Sequence, residues 1–251
     1  MMTNLERYSF QDFTRENYRR LLKLAKQRYV FRSYINYNPD ERFMLWRHDI
    51  DISPQAARKL AKIEAEEDVV ATYFLHLHSE FYNLLERSVS DCVRDIIGLG
   101  HAIGLHFNST YYGIDDENQL DAFLKFEQNI IEKTFSQKLH VFSFHDPDGF
   151  AMKCRQHQYC GLVNTYSDYF QTKVGYCSDS NGYWRFRRLE DVLRDGEDER
   201  LQILTHPCYW TDEVMSPRQR VWRCTDGRAK ATRDWWTNHL ADSGREDVDW
   251  E

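Results

Sequence analysis

The sequence predicts one α/β domain in which parallel strands form a closed or nearly closed barrel. Candidate strands and helices alternate along all 251 residues, without a repeat, a low-complexity tract or an interdomain linker. No G-x-G-x-x-G or G-x-x-x-x-G-K motif follows a candidate strand, which argues against the usual nucleotide-binding sheets. Four candidate strands end in histidine or aspartate, and the C-terminal ends of barrel strands meet on one face. The pattern therefore favours a barrel with a polar site at one end.

The clearest element is the segment 43–54, in which a buried strand leads directly into a helix. After an apolar run it places Asp49 and Asp51 two positions apart. Residues i and i+2 of a strand point to the same face, so both carboxylates are expected on one side. Ser53 is a good helix N-cap and Pro54 suits the first helical position. Paired acids at a strand end followed at once by a helix are typical of βα enzyme sites.

The other elements follow from apolar spacing, strand-forming residues and caps. Thr14 is a plausible cap of the first helix, and Gly104 inside a strand indicates a close approach of backbone. Residues 1–30 are expected to form a helical N-terminal extension, and residues 217–251 a helical C-terminal tail. The expected helices are 13–29, 54–67, 89–99, 115–135, 189–193 and 217–240. The expected strands are 29–34, 43–48, 69–75, 101–107, 139–144, 162–165, 175–177 and 201–205.

Composition limits the class of protein. The formal net charge is -7, and no basic stripe is present, so nucleic-acid binding is not expected. The six cysteines are scattered without a C-x-x-C pair and are expected to be free thiols in a reducing compartment. The N-terminal residues lack an apolar signal core, and no 18-residue apolar run occurs, so a membrane span is not expected. These features favour a cytoplasmic protein.

The strand ends carry a set of polar residues that suits metal-dependent chemistry. Carboxylate and imidazole together suit a divalent transition metal, with zinc preferred and nickel or cobalt as alternatives. A further carboxylate and a further imidazole would then serve as general base and general acid. The residues at the four strand ends are His48, Asp49 and Asp51; His106 and Asn108; His145, Asp146 and Asp148; and His206.

Other histidines and aromatic residues favour structural roles. His76 and His78 share a strand face, where a structural or substrate-lining role is expected. His101 begins a strand and is expected on the wrong face of the barrel. The tail tryptophans are expected to anchor the core; they are Trp222, Trp235 and Trp236.

The order of these motifs resembles the polysaccharide deacetylases, carbohydrate esterase family four. The resemblance covers roughly residues 43–210 and is carried by Arg47-His48-Asp49-Ile50-Asp51, Ala71-Thr72-Tyr73-Phe74-Leu75 and Gly100-His101-Ala102-Ile103-Gly104-Leu105-His106. It implies a distorted (β/α) barrel of about seven strands that removes acetyl groups from sugars with a bound divalent metal.

The resemblance also implies residue roles. It makes Asp49 the base that activates water, Asp51 and His106 metal ligands, and His206 the general acid. The family's second metal histidine falls at Thr110, so one ligand is missing from the pattern. His145 falls where the family has an arginine that contacts the catalytic aspartate. It is therefore either the replacement ligand or the replacement for that arginine.

Substrate-binding residues come from the remaining motifs and from the neighbourhood of the acids. The fourth family motif is similar to the stretch 179–184, where the aspartate and the tryptophan line the acetyl pocket or steady the site. The residues expected to contact substrate are Arg47, Asp179, Trp184, Tyr209 and Trp210.

Two functions compete at this stage. The first is a metal-dependent hydrolase that removes an N-acyl group, in particular acetyl, from an amino sugar. Its substrate would be a small or lipid-linked precursor, in a setting such as surface-polysaccharide (O-antigen) biosynthesis. The second is an inactive barrel that binds a sugar after losing part of its metal site. Thr110 supports the second function, whereas Asp49 and His206 support the first.

Overall fold

The computed structural model describes residues 2–249 and contains a nine-stranded sheet surrounded by helices. The strands are β1 (Val30–Arg32), β2 (Phe43–Ile50), β3 (Thr72–Leu75), β4 (Ala102–Phe107), β5 (Val141–Phe144), β6 (Gln158–Tyr159), β7 (Leu162–Asn164), β8 (Gly175–Ser178) and β9 (Arg200–Thr205). The α-helices are α1 (Asn4–Arg7), α2 (Arg15–Lys26), α3 (Pro54–Glu66), α4 (Arg87–Gly98), α5 (Ser109–Tyr112), α6 (Glu117–Phe135), α7 (Asp168–Lys173), α8 (Leu189–Asp195) and α9 (Pro217–Asp242).

Seven parallel strands form the body of the sheet, in the spatial order β7-β5-β4-β3-β2-β9-β8. β6 extends one end as an antiparallel partner of β7. β1 and β3 pair with the same edge of β2. β1 pairs with its first three residues, and β3 pairs with its last four. The predicted distorted (β/α) barrel is confirmed. Within residues 2–249, β6 and β8 do not pair, so the barrel is open between them.

The junction between β2 and α3 forms as the sequence predicts. The Ser53 side chain accepts a hydrogen bond from the Ala56 amide at 3.2 Å, and Pro54 is the first helical residue. Ala57, Leu60 and Ala61 are buried on the side of α3 that packs against the sheet. The cap places α3 directly after Asp51 and so fixes where that carboxylate leaves the strand.

Several boundaries differ from the sequence-based expectation. The helix expected over residues 13–29 is α2, which is shorter than expected and is capped by Thr14. The strand that follows it, β1, covers only three residues. The sequence did not predict four short elements, which are α1, α5, α7 and β6. Each has six residues or fewer, and so short a segment shows too little periodicity of apolar residues to be recognised. Met1 and residues 250–251 of the predicted terminal segments lie outside the described residues.

The tail tryptophans are not core anchors, and that prediction is wrong. Trp222, Trp235 and Trp236 are 57%, 63% and 53% exposed. Of the described side chains of α9, only Arg220 and Leu240 are buried, so the helix presents most of its surface to solvent. Its mixed polar and apolar sequence has no continuous apolar stripe, so burial of the tryptophans could not be inferred from their type alone.

Gly104 shows why one position of β4 excludes a side chain. A Cβ atom there would lie 2.7 Å from ring carbons of Phe74 and 3.1 Å from a methyl group of Val141. The predicted close approach is confirmed, although the neighbours are side chains and not backbone. We expect Gly104→Ala to lower the free energy of unfolding by about 1–3 kcal/mol, because the buried ring must shift.

Urea denaturation followed by circular dichroism measures this effect. Gly98→Ala, at the exposed end of α4 with no atom within 4 Å of the added Cβ, is the control. It should leave stability unchanged or raise it by up to about 1 kcal/mol. Equal midpoints for Gly104→Ala and the unmodified chain would contradict the packing argument.

Candidate metal and catalytic site

Asp49 and Asp51 point to the same side at the C-terminal end of β2. Both carboxylates approach one imidazole from β4: His106 Nε2 lies 3.1 Å from Asp51 Oδ1 and 3.6 Å from Asp49 Oδ2. His145, which follows β5, places Nδ1 3.4 Å from the same Asp51 oxygen. The C-terminal ends of β2, β4 and β5 thus bring the predicted acids and two of the predicted histidines together.

Asp51, His106 and His145 form a triangle of potential ligand atoms. The third side, between His106 Nε2 and His145 Nδ1, measures 3.1 Å. With metal–ligand bonds of about 2.0–2.2 Å, neighbouring donors of a tetrahedral zinc site lie roughly 3.3–3.6 Å apart. The three observed separations are close to that edge length, and the donor set of one carboxylate and two imidazoles suits a divalent transition metal.

Unsatisfied polar atoms give a second test of the fit. Among residues 2–249, Asp49 Oδ1 and His76 Nε2 are buried near this group without a hydrogen-bond partner. Leaving such an atom unpaired costs about 1–3 kcal/mol, so the two atoms favour a bound ligand here. The residues fit a bound cation on this count as well.

His76 is a candidate ligand that sequence reasoning did not assign. Its ring centroid lies 4.2 Å from that of His145, and donor atoms of His76, Asp51 and His145 all lie within 4.8 Å of one another. Two triads therefore share Asp51 and His145, one completed by His106 and the other by His76. The signal in the sequence was its position just after β3, at the same end of the sheet as His106 and His145.

Burial and neighbouring charges set the protonation states of this group. Burial, reinforced by the charges of His106 and His145, lowers the pKa of His76 to about 3, so its imidazole is neutral. Burial works against the charged forms of Asp51 and His145, but their contacts outweigh it. Hydrogen bonds from His106 and His145 hold the pKa of Asp51 well below its usual value, and Asp51 raises the pKa of His145.

Arg47 lies behind Asp49 and does not face open solvent. Its side chain is only 1% exposed, and Nη2 donates to Asp49 Oδ2 at 2.8 Å. Ser143 and Thr165 hold the same guanidinium at 2.6 and 3.0 Å. The expected substrate contact is therefore corrected to a positioning contact with the carboxylate. Arg47 thus makes the contact with Asp49 that was one of the two alternatives for His145, whereas His145 lies beside Asp51 and His106.

His206 lies on the opposite side of Asp51 and is held by Asp179. His206 Nε2 is 3.5 Å from Asp51 Oδ2, whereas His206 Nδ1 is 2.6 Å from Asp179 Oδ1. Burial disfavours the imidazolium, but the charge and hydrogen bond of Asp179 outweigh it and raise the pKa of His206 to about 9. The imidazole is consequently protonated at neutral pH, which suits a general acid.

Asp179 and Trp210 support His206 from inside the protein. Asp179 is fully buried and accepts hydrogen bonds from the His206 amide and from Trp210 Nε1, each at 3.0 Å. The Trp210 indole is only 1% exposed and packs against Phe13 and Tyr18. Both side chains are buried, so their expected substrate contacts are corrected to structural support for His206.

Trp184 and Tyr209 lie at the edge of this support. Trp184 Nε1 donates to Asp12 at 3.0 Å, and its ring stacks on Phe13. Tyr209 is partly buried with its ring centroid 5.7 Å from that of His206. The geometry leaves Tyr209 as the better placed of the two for substrate contact, which stays a prediction.

His48 points away from the site, although it lies between Arg47 and Asp49. Its Nε2 is 2.6 Å from Glu64 Oε1, and its Nδ1 is 2.7 Å from the Thr205 hydroxyl. Side chains alternate along a strand, so the face that receives Asp49 cannot receive His48. Its place in the predicted constellation is therefore corrected.

Two further histidines also lie outside the site. His101 Nε2 contacts the Ala61 carbonyl oxygen at 2.9 Å, in agreement with its expected position away from the site. His78 Nε2 lies 2.9 Å from the Tyr112 hydroxyl and 3.0 Å from Glu127, and its ring stacks on Tyr111. These contacts are compatible with the structural role predicted for His78.

The pKa of His206 provides a direct test of this arrangement. We expect Asp179→Asn to lower that pKa by more than one unit, because the buried negative charge that offsets desolvation is removed. Histidine ring resonances followed by NMR across pH 5 to 10 measure the value. Asp212→Asn, an exposed carboxylate paired with Arg15, should leave it unchanged. An unaltered His206 titration in Asp179→Asn would contradict the assigned role.

Comparison with family models gave no match, and neither did comparison with curated proteins. Comparison with solved structures gave matches to 13 chains. One is the peptidoglycan deacetylase PdaC from Bacillus subtilis, with 12% identity, a TM-score of 0.46, and coverage of 82% of this chain and 99% of that one. A family 4 acetyl xylan esterase from Clostridium thermocellum, in complex with cobalt, has 14% identity and a TM-score of 0.43, with coverage of 75% and 84%.

A CE4 family pseudoenzyme from Bacillus anthracis is also similar, with 13% identity, a TM-score of 0.44 and coverage of 76% of this chain. This chain spans 65%, 63% and 64% of the three pseudoenzyme chains compared, which is less than two thirds of their length. These solved structures belong to the family that the sequence motifs resemble.

Proposed function

We propose that the protein is a metal-dependent hydrolase that removes an N-acetyl or related acyl group from an amino sugar. The observation that carries this proposal is the arrangement around Asp51. One of its oxygens faces His106 and His145, the other faces His206, and Asp49 lies beside His106. A candidate base and a candidate acid thus flank a candidate metal group, which is the arrangement that hydrolysis of an amide needs.

Asp49 is the proposed general base. Its Oδ1 is buried and has no partner within residues 2–249, whereas Oδ2 is fixed by Arg47. One oxygen is therefore free to accept a proton from the attacking water, while the other keeps the carboxylate in place.

His206 is the proposed general acid. The Nδ1 atom is engaged by Asp179, so the proton on Nε2 faces the side of Asp51 and can pass to the departing amine. The hydrogen bond to Asp179 fixes the ring orientation, and its charge keeps the imidazole protonated until it reacts. This division leaves one group on each side of the acyl carbon, one to remove a proton and one to supply it.

Asp51, His106 and His145 would hold the metal, with His76 as a further donor. A divalent ion bound there supplies Lewis-acid polarisation of the acyl oxygen and a lower pKa for a bound water. Zinc is the proposed ion, with nickel and cobalt as alternatives, because all three accept imidazole and carboxylate. His145 would then take the place that Thr110 leaves empty in the family pattern.

The proposed substrate is a soluble or lipid-linked amino-sugar precursor handled by a cytoplasmic enzyme. Surface-polysaccharide (O-antigen) biosynthesis is the proposed setting. The net charge of -7 supports a small substrate in preference to nucleic acid. No helix within residues 2–249 is both long and apolar enough to cross a bilayer.

Metal content separates the proposed roles. We expect Asp49→Asn to retain close to one equivalent of zinc and to lose turnover by about 10²–10⁴-fold, because only the proton acceptor is removed. Asp51→Asn, His106→Ala and His145→Ala should each weaken zinc binding by at least about 100-fold, since each removes one donor of a small coordination shell. Isothermal titration of zinc into chelator-treated protein measures the zinc affinity of all four variants. Steady-state hydrolysis of an N-acetylated amino sugar measures the turnover of Asp49→Asn.

Two comparisons make this experiment decisive. His140→Ala, an exposed histidine outside the site, should bind zinc like the unmodified chain. His76→Ala shows whether the second triad contributes, since a loss matching that of His145→Ala would place both rings on the ion. Unchanged zinc affinity in His145→Ala would end its assignment as a ligand, and a metal-free Asp49→Asn protein would end the assignment of the base.

The rate should depend on the proton of His206. We expect turnover to fall as pH rises through the pKa of His206, because the acid loses its proton there. In Asp179→Asn this basic limb should move to lower pH, following the lowered pKa of His206. Steady-state hydrolysis of an N-acetylated amino sugar, measured from pH 6 to 10.5, checks the shift. A basic limb that does not move would contradict His206 as the acid.

The rival function is a sugar-binding barrel without catalytic activity. Thr110 at the family's second histidine position is the observation that favours it. It predicts protein that carries no metal and binds sugar equally well with Asp49 or Asn at position 49. Near-stoichiometric metal in protein purified without chelator would instead favour the hydrolase.

A further inference from the structure

A groove of about 940 Å³ lies beside the proposed site and is not used in the reaction described above. It runs between the N-terminal ends of α3 and α4 and the exposed part of α9. Ile52 and Ser53, which directly follow Asp51, form part of its wall. Tyr82 forms another part, and its hydroxyl donates to the Ile50 carbonyl oxygen at 2.7 Å and accepts from the His76 amide at 3.1 Å. Tyr82, Ile52 and Ser53 therefore connect the lining of the groove to backbone next to the proposed site.

The groove is positively charged in a protein whose net charge is -7. Its charged lining consists of Lys59, Arg87, Arg223 and Arg228 with Glu86 and Asp91. Arg228 is paired with Glu86 at 2.5 Å, and Asp91 is 3.0 Å from Arg94. Within residues 2–249, the three other cations have no carboxylate within 4 Å. The walls thus carry an excess of unpaired positive charge.

Lys59 and Arg223 line the same part of the chain's groove. Burial, followed by the charges of Arg15 and Arg223, lowers the pKa of Lys59, and the charge of Asp212 acts against this lowering. Arg223 Nε is buried, and no atom of residues 2–249 pairs with it. The N-terminal ends of α3 and α4 add partial positive charge on the same side. An anion bound at these groups would be attracted by both charges.

The remaining lining is largely apolar and aromatic. Phe81 and Ala231 contribute apolar surface, and Trp235 presents a ring that is 63% exposed at the rim. A ligand that complements the whole groove therefore needs an anionic part and an apolar or aromatic part. Exposed tryptophan suits both a base ring and an acyl or prenyl chain.

We propose that the groove binds the diphosphate-bearing portion of an activated amino sugar, with phosphate at Lys59 and Arg223 and its apolar or aromatic end along Phe81 and Trp235. This inference rests on the proposed function for the sugar end of the ligand, which would extend past Ile52 towards Asp49 and His206. The common chemistry is a sugar joined through diphosphate to a second group. That group is a nucleoside in one source and a polyprenyl chain in the other.

Binding of diphosphate probes to the full-length protein tests the groove without turnover. Isothermal titration with inorganic diphosphate, uridine diphosphate and farnesyl diphosphate should show binding. We expect Lys59→Ala combined with Arg223→Ala to weaken it at least tenfold. Lys62→Ala, an exposed lysine of α3 outside the groove, should weaken it less than twofold. Circular dichroism of all variants confirms that they are folded.

Trp235→Ala identifies the source of the second group. If uridine diphosphate binds more tightly than inorganic diphosphate, and Trp235→Ala removes this difference, the second group is a nucleoside. If farnesyl diphosphate shows the same behaviour, the second group is a lipid. The inference is overturned if no probe binds at millimolar concentration. It is also overturned if the double variant binds as tightly as Lys62→Ala.

The two proposals can fail separately. Diphosphate binding that depends on Lys59 and Arg223, in a protein that neither binds zinc nor hydrolyses an N-acetyl sugar, would overturn the proposed function and support the groove. Turnover of a free N-acetyl amino sugar with the same kcat/KM as its diphosphate-linked form would overturn the groove and leave the hydrolase intact.

Discussion

The structure depends on burying a strand that carries three polar side chains in a row. Every residue of β2 is buried, including Arg47, His48 and Asp49. Buried charges are costly unless each one meets a partner, so both faces of the strand need a polar counterpart. On one face Arg47 pairs with Asp49, and on the other His48 pairs with Glu64 of α3. The position of α3 and the orientation of Asp49 are thus two results of the same requirement.

The face of β2 opposite the site shows how firmly this requirement is met. Glu64 accepts hydrogen bonds from the Tyr73 hydroxyl at 2.6 Å and from the Tyr18 hydroxyl. Tyr18 in turn accepts from Trp46 Nε1 at 2.8 Å, so α2, α3 and the sheet are joined through one carboxylate. Such a network leaves few alternative arrangements for β2, because a shift of its register would leave several buried polar groups without hydrogen-bond partners. The network around Glu64 fixes β2 and therefore also fixes the directions of the site side chains that β2 carries.

Much of this arrangement could be predicted from sequence, and the failures have physical causes. The β2–α3 junction, the convergence of Asp49, Asp51 and His106, and the barrel follow from local rules of spacing and capping. The direction of His48 also follows from strand alternation once Asp49 is placed in the site, so its inclusion among the site residues was avoidable. The contacts of Arg47 and His76 could not be predicted from sequence, since their partners Ser143, Thr165 and His145 lie on or directly after other strands. Contacts between distant segments decide such roles, and one sequence does not contain them.

The position of β9 has a consequence for how the chain folds. β9 pairs with β2 at the centre of the sheet, although about 150 residues separate the two strands, and β2 cannot be covered on that edge before β9 exists. Such distant parallel pairing is slow and exposes apolar surface in the meantime. During synthesis, β2 must wait until nearly the whole barrel has left the ribosome. His206 directly follows β9, so the proposed acid arrives in the same event that closes the centre of the sheet, and a partly made chain would have the carboxylates without it.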